Sequence, residues 1–141
     1  VRVISERAFF NCEQLRSVEL PAALTEIGES AFADCPALAE VKFGGGLVRI
    51  SQRAFDSCTS LTSAALPEGV RFLGYRAFAA CTALKELSLP STLEAVEAQA
   101  FIGCDALARV TFAGSRARLE TLLQDKESPV LKAKEIICTD K

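Results

Sequence analysis

The sequence predicts a solenoid, a stack of short coils with a parallel β-sheet on one face and tight turns on the other. Three observations carry this: a strict 23-residue period, a change of hydrophobic spacing inside each period, and a failure of the pattern from Ser115 onward. Ala-Phe pairs stand at Ala8-Phe9, Ala31-Phe32, Ala54-Phe55, Ala77-Phe78 and Ala100-Phe101. A cysteine follows each Phe by three residues, at Cys12, Cys35, Cys58, Cys81 and Cys104. A period held this strictly marks a repeat architecture, in which each unit buries its apolar side only by stacking on its neighbours.

Within the first unit, Ala8, Phe9, Cys12 and Leu15 are spaced to share one side of a helical turn. A short helical turn is therefore expected there. The leucines recur at Leu38, Leu61, Leu84 and Leu107. Val18 and Leu20 are spaced to share one face of a strand, with equivalents at Val41/Phe43, Ala64/Leu66, Leu87/Leu89 and Val110/Phe112. Pro21, Gly44, Pro67, Pro90 and Ala113 come next, and Pro or Gly in four of these five positions suits the end of a strand. A second apolar pair, Leu24/Ile27, Leu47/Ile50, Val70/Leu73 and Leu93/Val96, completes the unit as a short extended segment; Val1 and Ile4 supply its first copy. Stacked coils let each strand pair in parallel with its equivalent about 4.8 Å away.

The repeats occupy residues 1–115, and residues 116–141 are expected to form a capping segment, helix then strand. Arg116 stands where an apolar residue belongs, while Leu119, Leu122 and Leu123 are spaced for one side of a helix opened by Ser115 and closed before Pro129. Ile136, Ile137 and Cys138 suit a last strand across the open edge, and a bare edge invites pairing with another chain. No matching cap opens the chain, so further repeats, another segment or a partner copy are expected before Val1.

Half of the residues are hydrophobic, which supports a sizeable core and excludes disorder. No apolar run approaches the roughly 20 residues of a membrane span, so no membrane insertion is expected. A formal net charge of −2 argues against nucleic acid as a partner. The chain has no histidine and no Cys-x-x-Cys pair, which argues against a zinc site and against a base-activated thiol nucleophile. No cofactor and no catalytic residue are expected, so the chain is not read as an enzyme. The cysteines, in one slot of stacked coils between inward-facing Phe and Leu, are expected to be free thiols packed as small hydrophobes rather than disulfides. Gly44, Gly45 and Gly46 lack the following helix and Lys-Ser/Thr pair of a phosphate loop, and fit a flexible turn. Glu19 and Glu40 fit a solvated face better than an acid–base pair. Tyr75, the only tyrosine, is expected as a surface aromatic.

The pattern Ile-x-x-x-Ala-Phe-x-x-Cys-x-x-Leu-x-x-Val-x-Leu-Pro resembles the BspA-like leucine-rich repeats, over residues 1–115. The resemblance implies an α/β, right-handed, curved leucine-rich-repeat solenoid with a parallel sheet on one face and short helical or 3₁₀ turns on the other. It also implies protein recognition or adhesion at a bacterial cell surface or in secreted proteins, with cytoplasmic residence as the alternative, since free thiols also suit a reducing cytosol. The expected partner is a protein of a host or neighbouring cell. The candidate partner-binding face is the row of outward strand positions, Ser17, Glu19, Glu40, Lys42, Ser63, Ala65, Glu86, Ser88, Arg109 and Thr111. A structural spacer carrying another domain is the alternative role.

Overall fold

The computed structural model describes residues 2–125 and 127–139. Val1, counted above in the first apolar pair, and Lys126, Asp140 and Lys141, inside the range 116–141, lie outside the described residues. In chain order the elements are β1 (Val3–Ile4), β2 (Ser17–Glu19), β3 (Glu26–Ile27), β4 (Glu40–Lys42), β5 (Arg49–Ile50) and β6 (Ser63–Ala65). They continue with β7 (Phe72–Leu73), β8 (Glu86–Leu89), β9 (Ala95–Val96), β10 (Arg109–Phe112), α1 (Arg116–Leu123) and β11 (Glu135–Cys138).

The second apolar pair of each unit makes a sheet of its own. Its two-residue strands stack in the order β1-β3-β5-β7-β9, all parallel, with Ile27 on Ile50 and Leu73 on Val96. The longer strands form the opposite layer, where the register is one whole repeat, Val18 beside Val41 and Leu87 beside Val110. This layer comes in two pieces, β2-β4 and β6-β8-β10-β11. The continuous ladder expected from the period is thus interrupted between β4 and β6. Two departures from the repeat meet there: Ala64 contributes only a methyl beside the larger Val41, and Phe43 replaces leucine and sets its ring edge-on to Phe55 at 5.8 Å. On the opposite side of that coil, toward β2, Gly44 runs so close to the preceding coil that a Cβ would lie 2.3 Å from the Pro21 carbonyl oxygen.

The remaining segment of each unit, from the second apolar pair through Ala-Phe to Cys, is a chain of β-turns rather than helix. Ala8, Phe10 and Cys12 donate their N–H groups three residues back, to the carbonyls of Ser5, Arg7 and Phe9. The intervening amides leave the coil: Arg7, Phe9 and Asn11 donate to Glu29, Ala31 and Ala33 of the next coil at 2.8–2.9 Å. Every later interface repeats this, down to Arg76, Phe78 and Ala80 on Ala98, Ala100 and Ile102. Alternate amides are therefore diverted between coils, and neither α- nor 3₁₀-helix forms in the repeats; the helical spacing of Ala8, Phe9 and Cys12 reflects inward-facing turn corners. Aiming the amides this way requires left-handed backbone two residues before and after each Phe, as at Arg7 and Asn11 (φ 57° and 58°) or Arg53 and Ser57 (φ 56° and 63°). Such a conformation costs about 1–2 kcal/mol outside glycine, and a backbone hydrogen bond returns about 0.5–1.5 kcal/mol net. The two nearly offset, so apolar burial decides the fold.

That burial is a phenylalanine stack. Phe9, Phe32, Phe55, Phe78 and Phe101 lie face to face with ring centroids 5.1–5.6 Å apart and planes within 8°. Phe32, Phe55 and Phe78 are fully buried, whereas Phe9 in the first coil is 41% exposed. Leucines 38, 61 and 84 lie against them, also fully buried. After the last strand, the Ser115 side chain accepts a hydrogen bond from the Arg118 N–H and so opens α1, which buries Leu119, Leu122 and Leu123. The helix stops at Gln124, left-handed at φ 58°. β11 then pairs in parallel with β10, Ile136 beside Val110.

Candidate partner-binding surface

A strand alternates its side chains between two faces. In β4, β6 and β8 this puts Val41, Ala64 and Leu87 in the core and leaves Glu40/Lys42, Ser63/Ala65 and Glu86/Ser88 exposed. Ser17, Glu19 and Arg109 are likewise exposed, while Thr111 is half-buried. Within each sheet piece the parallel register sets these side chains in two rows. On β2-β4 the rows are Ser17/Glu40 and Glu19/Lys42; on β6-β8-β10 they are Ser63/Glu86/Arg109 and Ala65/Ser88/Thr111. β11 lengthens both rows by one position, adding Glu135 and the 37% exposed Ile137. These two members were not singled out from sequence, although the alternation of Glu135–Cys138 carries the signal.

The surface is polar, and each sheet piece carries two carboxylates and one cation: Glu19, Glu40 and Lys42 on β2-β4, and Glu86, Glu135 and Arg109 on β6-β8-β10-β11. Arg109 donates from Nε to Glu135 Oε1 at 2.7 Å, and that hydrogen bond, with the carboxylate charge, raises the guanidinium pKa above its ordinary value. Both side chains remain about half exposed, so the pair is worth little to stability. Between β2 and β4 a shallow hollow of about 210 Å³ is lined by Ser17, Val18, Glu19, Glu40 and Lys42. Glu19 lies beside Lys42 and Glu40 beside Ser17, so the two carboxylates occupy different rows.

The turn face has different chemistry. Arg53 and Arg76 both reach Asp56, at 3.9 and 3.1 Å, beside a groove of about 360 Å³ that Arg7 and Phe10 also line. Tyr75 is half-buried there under the Arg53 guanidinium, with its hydroxyl donating to Gln99 Oε1 at 3.2 Å.

All six thiols are free; Cys35, Cys58, Cys81 and Cys104 are buried in the core, and Cys12 and Cys138 are half-buried at its margin. Four of them donate to a backbone carbonyl of the preceding coil: Cys35 to Phe9, Cys58 to Phe32, Cys81 to Phe55 and Cys104 to Phe78, at 3.0–3.2 Å. Burial pushes the Cys58 thiol up to about 12, and burial also raises Cys35. Cys81 is held well above the ordinary value by its hydrogen bond with Cys104 and by burial. Thiols held protonated in this way are poor nucleophiles. Among the described residues no group of three or more His, Cys, Asp or Glu side chains is placed to hold a metal ion, and no helix is long and apolar enough to cross a membrane.

Two layers of short parallel strands joined by turns, repeated every 23 residues around a Phe and Leu core, define a leucine-rich-repeat solenoid. The profile of the BspA type leucine rich repeat region matches residues 1–122 in six copies, and the chain belongs to that family. No curated protein matches the chain. Among solved structures it is similar to a leucine rich cell surface protein from Faecalibacterium prausnitzii A2-165, with 33% identity and a TM-score of 0.82 over 89% of this chain and 33% of that one. It is also similar to a leucine rich repeat protein of T. pallidum, with 32% identity and a TM-score of 0.77 over 79% of this chain and 52% of that one. The pneumococcal vaccine antigen PcpA shares the fold, at 21% identity and a TM-score of 0.67, over 95% of this chain and 39% of that one. The chain thus spans a third to about half the length of these proteins.

Proposed function

We propose that this chain is a protein-binding, adhesive module of a bacterial cell-surface or secreted protein, and that its partner docks on the outward rows of the strand face. The observation that carries the reading is the rows themselves. On both sheet pieces, β2-β4 and β6-β8-β10-β11, paired strands present their variable polar residues side by side, while the residues beneath them keep one pattern. A solenoid of this kind offers an extended binding surface at no folding cost to the residues that contact the partner. The cell-surface assignment is supported by the Faecalibacterium relative, which is described as a cell surface protein. A role without chemistry of its own is supported by the absence of histidine and by the burial of four of the six thiols. We further read residues 1–115 as the repeat body and 116–141 as the segment that covers its last coil.

Charge reversal at Glu19, Glu40, Lys42 and Arg109, singly and together, tests the face in cell-adhesion and pull-down assays. These side chains are exposed, so each variant should fold normally. Adhesion or partner recovery is expected to fall by about tenfold or more in the combined variant, a loss of roughly 1.4 kcal/mol. Unchanged binding across the whole set sinks the strand-face reading.

A further inference from the structure

We propose that the turn face carries a second docking site, a notch over Ser30 that seats one carboxylate side chain of a protein partner between the Arg7 and Arg53 guanidinium groups. The position two residues before each stacked phenylalanine is Arg7, Ser30, Arg53 and Arg76 in the first four coils. All four keep left-handed backbone, with φ of 57°, 53°, 56° and 55°, so their side chains leave the stack in the same direction. The position one residue after the phenylalanine is Phe10, Ala33 and Asp56 in the first three coils. The second coil therefore has a hydroxymethyl and a methyl where its neighbours carry larger groups. The result is the groove of about 360 Å³ on this face, floored by Ser30 and Ala33 and walled by Arg7 with Phe10 and by Arg53 with Asp56.

The floor holds an unused polar group. Ser30 is only 9% exposed, and among the described residues its hydroxyl makes no hydrogen bond, so it favours whatever brings it an acceptor. The walls hold unused donors. Asp56 is already engaged, its Oδ2 accepting from Arg76 Nε at 3.1 Å and its Oδ1 from the Ser57 hydroxyl at 2.9 Å. Arg53 stands 3.9 Å from that carboxylate, beyond hydrogen-bond distance. Arg7 lies over the Phe10 ring, 5.5 Å from its centroid, and forms no ion pair among the described residues. Two coil spacings set the Arg7 and Arg53 backbones about 10 Å apart, room for a carboxylate that accepts from each guanidinium at about 2.7–2.9 Å and from the Ser30 hydroxyl below.

The surroundings select the charge of the guest. Exposed carboxylates stand on both sides of the notch, Glu29 ahead of Ser30 and Asp34 beyond Ala33. Glu29 is close enough to feel both arginines: its pKa is raised chiefly by its hydrogen bond with Glu6, while Arg7 and Arg53 pull it down. A phosphate or a polyanion places its additional charge against Glu29 and Asp34, and like charges so placed cost affinity. A single carboxylate avoids that repulsion, and lysine or arginine residues on either side of it in the partner's chain complement the two flanking acids. This site lies on the turn face, and none of its residues belongs to the strand-face rows, so the two readings are independent.

Titration of the intact chain followed by NMR tests the proposal, read at the Ser30 amide and at the Nε–H groups of Arg7 and Arg53. The probes are the capped peptides Lys-Glu-Lys and Lys-Gln-Lys and inorganic phosphate. Lys-Glu-Lys is expected to shift all three signals and to bind at least about tenfold tighter than either other probe. In Arg53→Gln its affinity is expected to fall about tenfold, with the denaturation midpoint little changed, because Arg53 is exposed and its contact with Asp56 is long. Ser30→Arg gives the second coil the side chain that its neighbours carry on the same backbone conformation, and so fills the notch. It is expected to abolish the shifts at Arg7 and Arg53 while leaving amide exchange at Phe32 and Phe55 unchanged; if that exchange accelerates, Arg53→Gln alone decides. Binding of Lys-Gln-Lys or phosphate as tight as that of Lys-Glu-Lys, no shift with any probe, or undiminished binding to a folded variant overturns the site.

Discussion

Each buried cysteine in the turn slot does two jobs, filling space beside a phenylalanine ring and donating a hydrogen bond to the coil before it. The cost appears only when the thiol ionises. Cys58 has its pKa raised to about 12 from an ordinary value of 9.0. A raised value means that the protonated form is favoured in the fold, so this contribution is fully present below pH 9 and is lost as pH climbs toward 12. Three units correspond to about 4 kcal/mol. The denaturation midpoint of the native chain is therefore expected to fall steeply above pH 9, and less steeply in Cys58→Ser, whose hydroxyl donates but does not titrate there. Accessibility separates the six thiols as well. Cys12 and Cys138 are half-buried while the other four are buried, so a thiol reagent is expected to modify two cysteines in the folded protein and four more only on unfolding. Sequence spacing leads to a ladder of five thiols and to slow reaction of all six, because it cannot show that Cys12 lacks a coil above it among the described residues and that Cys138 stays half-buried in its edge strand. The left-handed positions are equally hidden: Arg7, Ser30, Arg53, Arg76 and Gln99 look like ordinary polar surface, since none is the glycine that usually marks such backbone.

Among the elements, the strands were legible and the turns were not. Alternation at Val18/Leu20 and its copies is a local property of the chain, so it survives without knowledge of the neighbours. The turns depend on amides shared between coils, and the same inward spacing serves a helical corner or a β-turn corner. The gap between β4 and β6 has a similar origin, in two side chains of different coils. Where pairing is complete, Leu66 donates to Ser88 and Lys85 to Thr62, at 3.0 and 2.9 Å. The equivalent donors at the gap, Phe43 and Thr62, make no such bond. Hydrogen exchange is expected to be faster at Phe43 and Thr62 than at Leu66 and Lys85; equal protection would mean that the two sheet pieces are joined in solution. The ten residues of the candidate face were legible for the same reason as the strands, whereas Glu135 and Ile137 join it only through the pairing of β11.

At the scale of the molecule, stability is shared between neighbouring coils and is lower where, among the described residues, a coil has a neighbour on one side only. Phe55 touches a ring on each side and is fully buried, while Phe9 stacks on one side only. Phe55→Ala is expected to cost about 3–5 kcal/mol, and Phe9→Ala a small part of that; equal losses in denaturant titrations would argue against additive nearest-neighbour stacking. The turn ladder adds a direction to this sum. All its amides point toward the later coil and all its carbonyls toward the earlier one, so the stack has a donor end and an acceptor end, as an ordinary magnet has two poles. Two such ends complement each other and never themselves. A further coil can therefore join this ladder in one orientation only, with its carbonyls turned toward the amides of the coil before it.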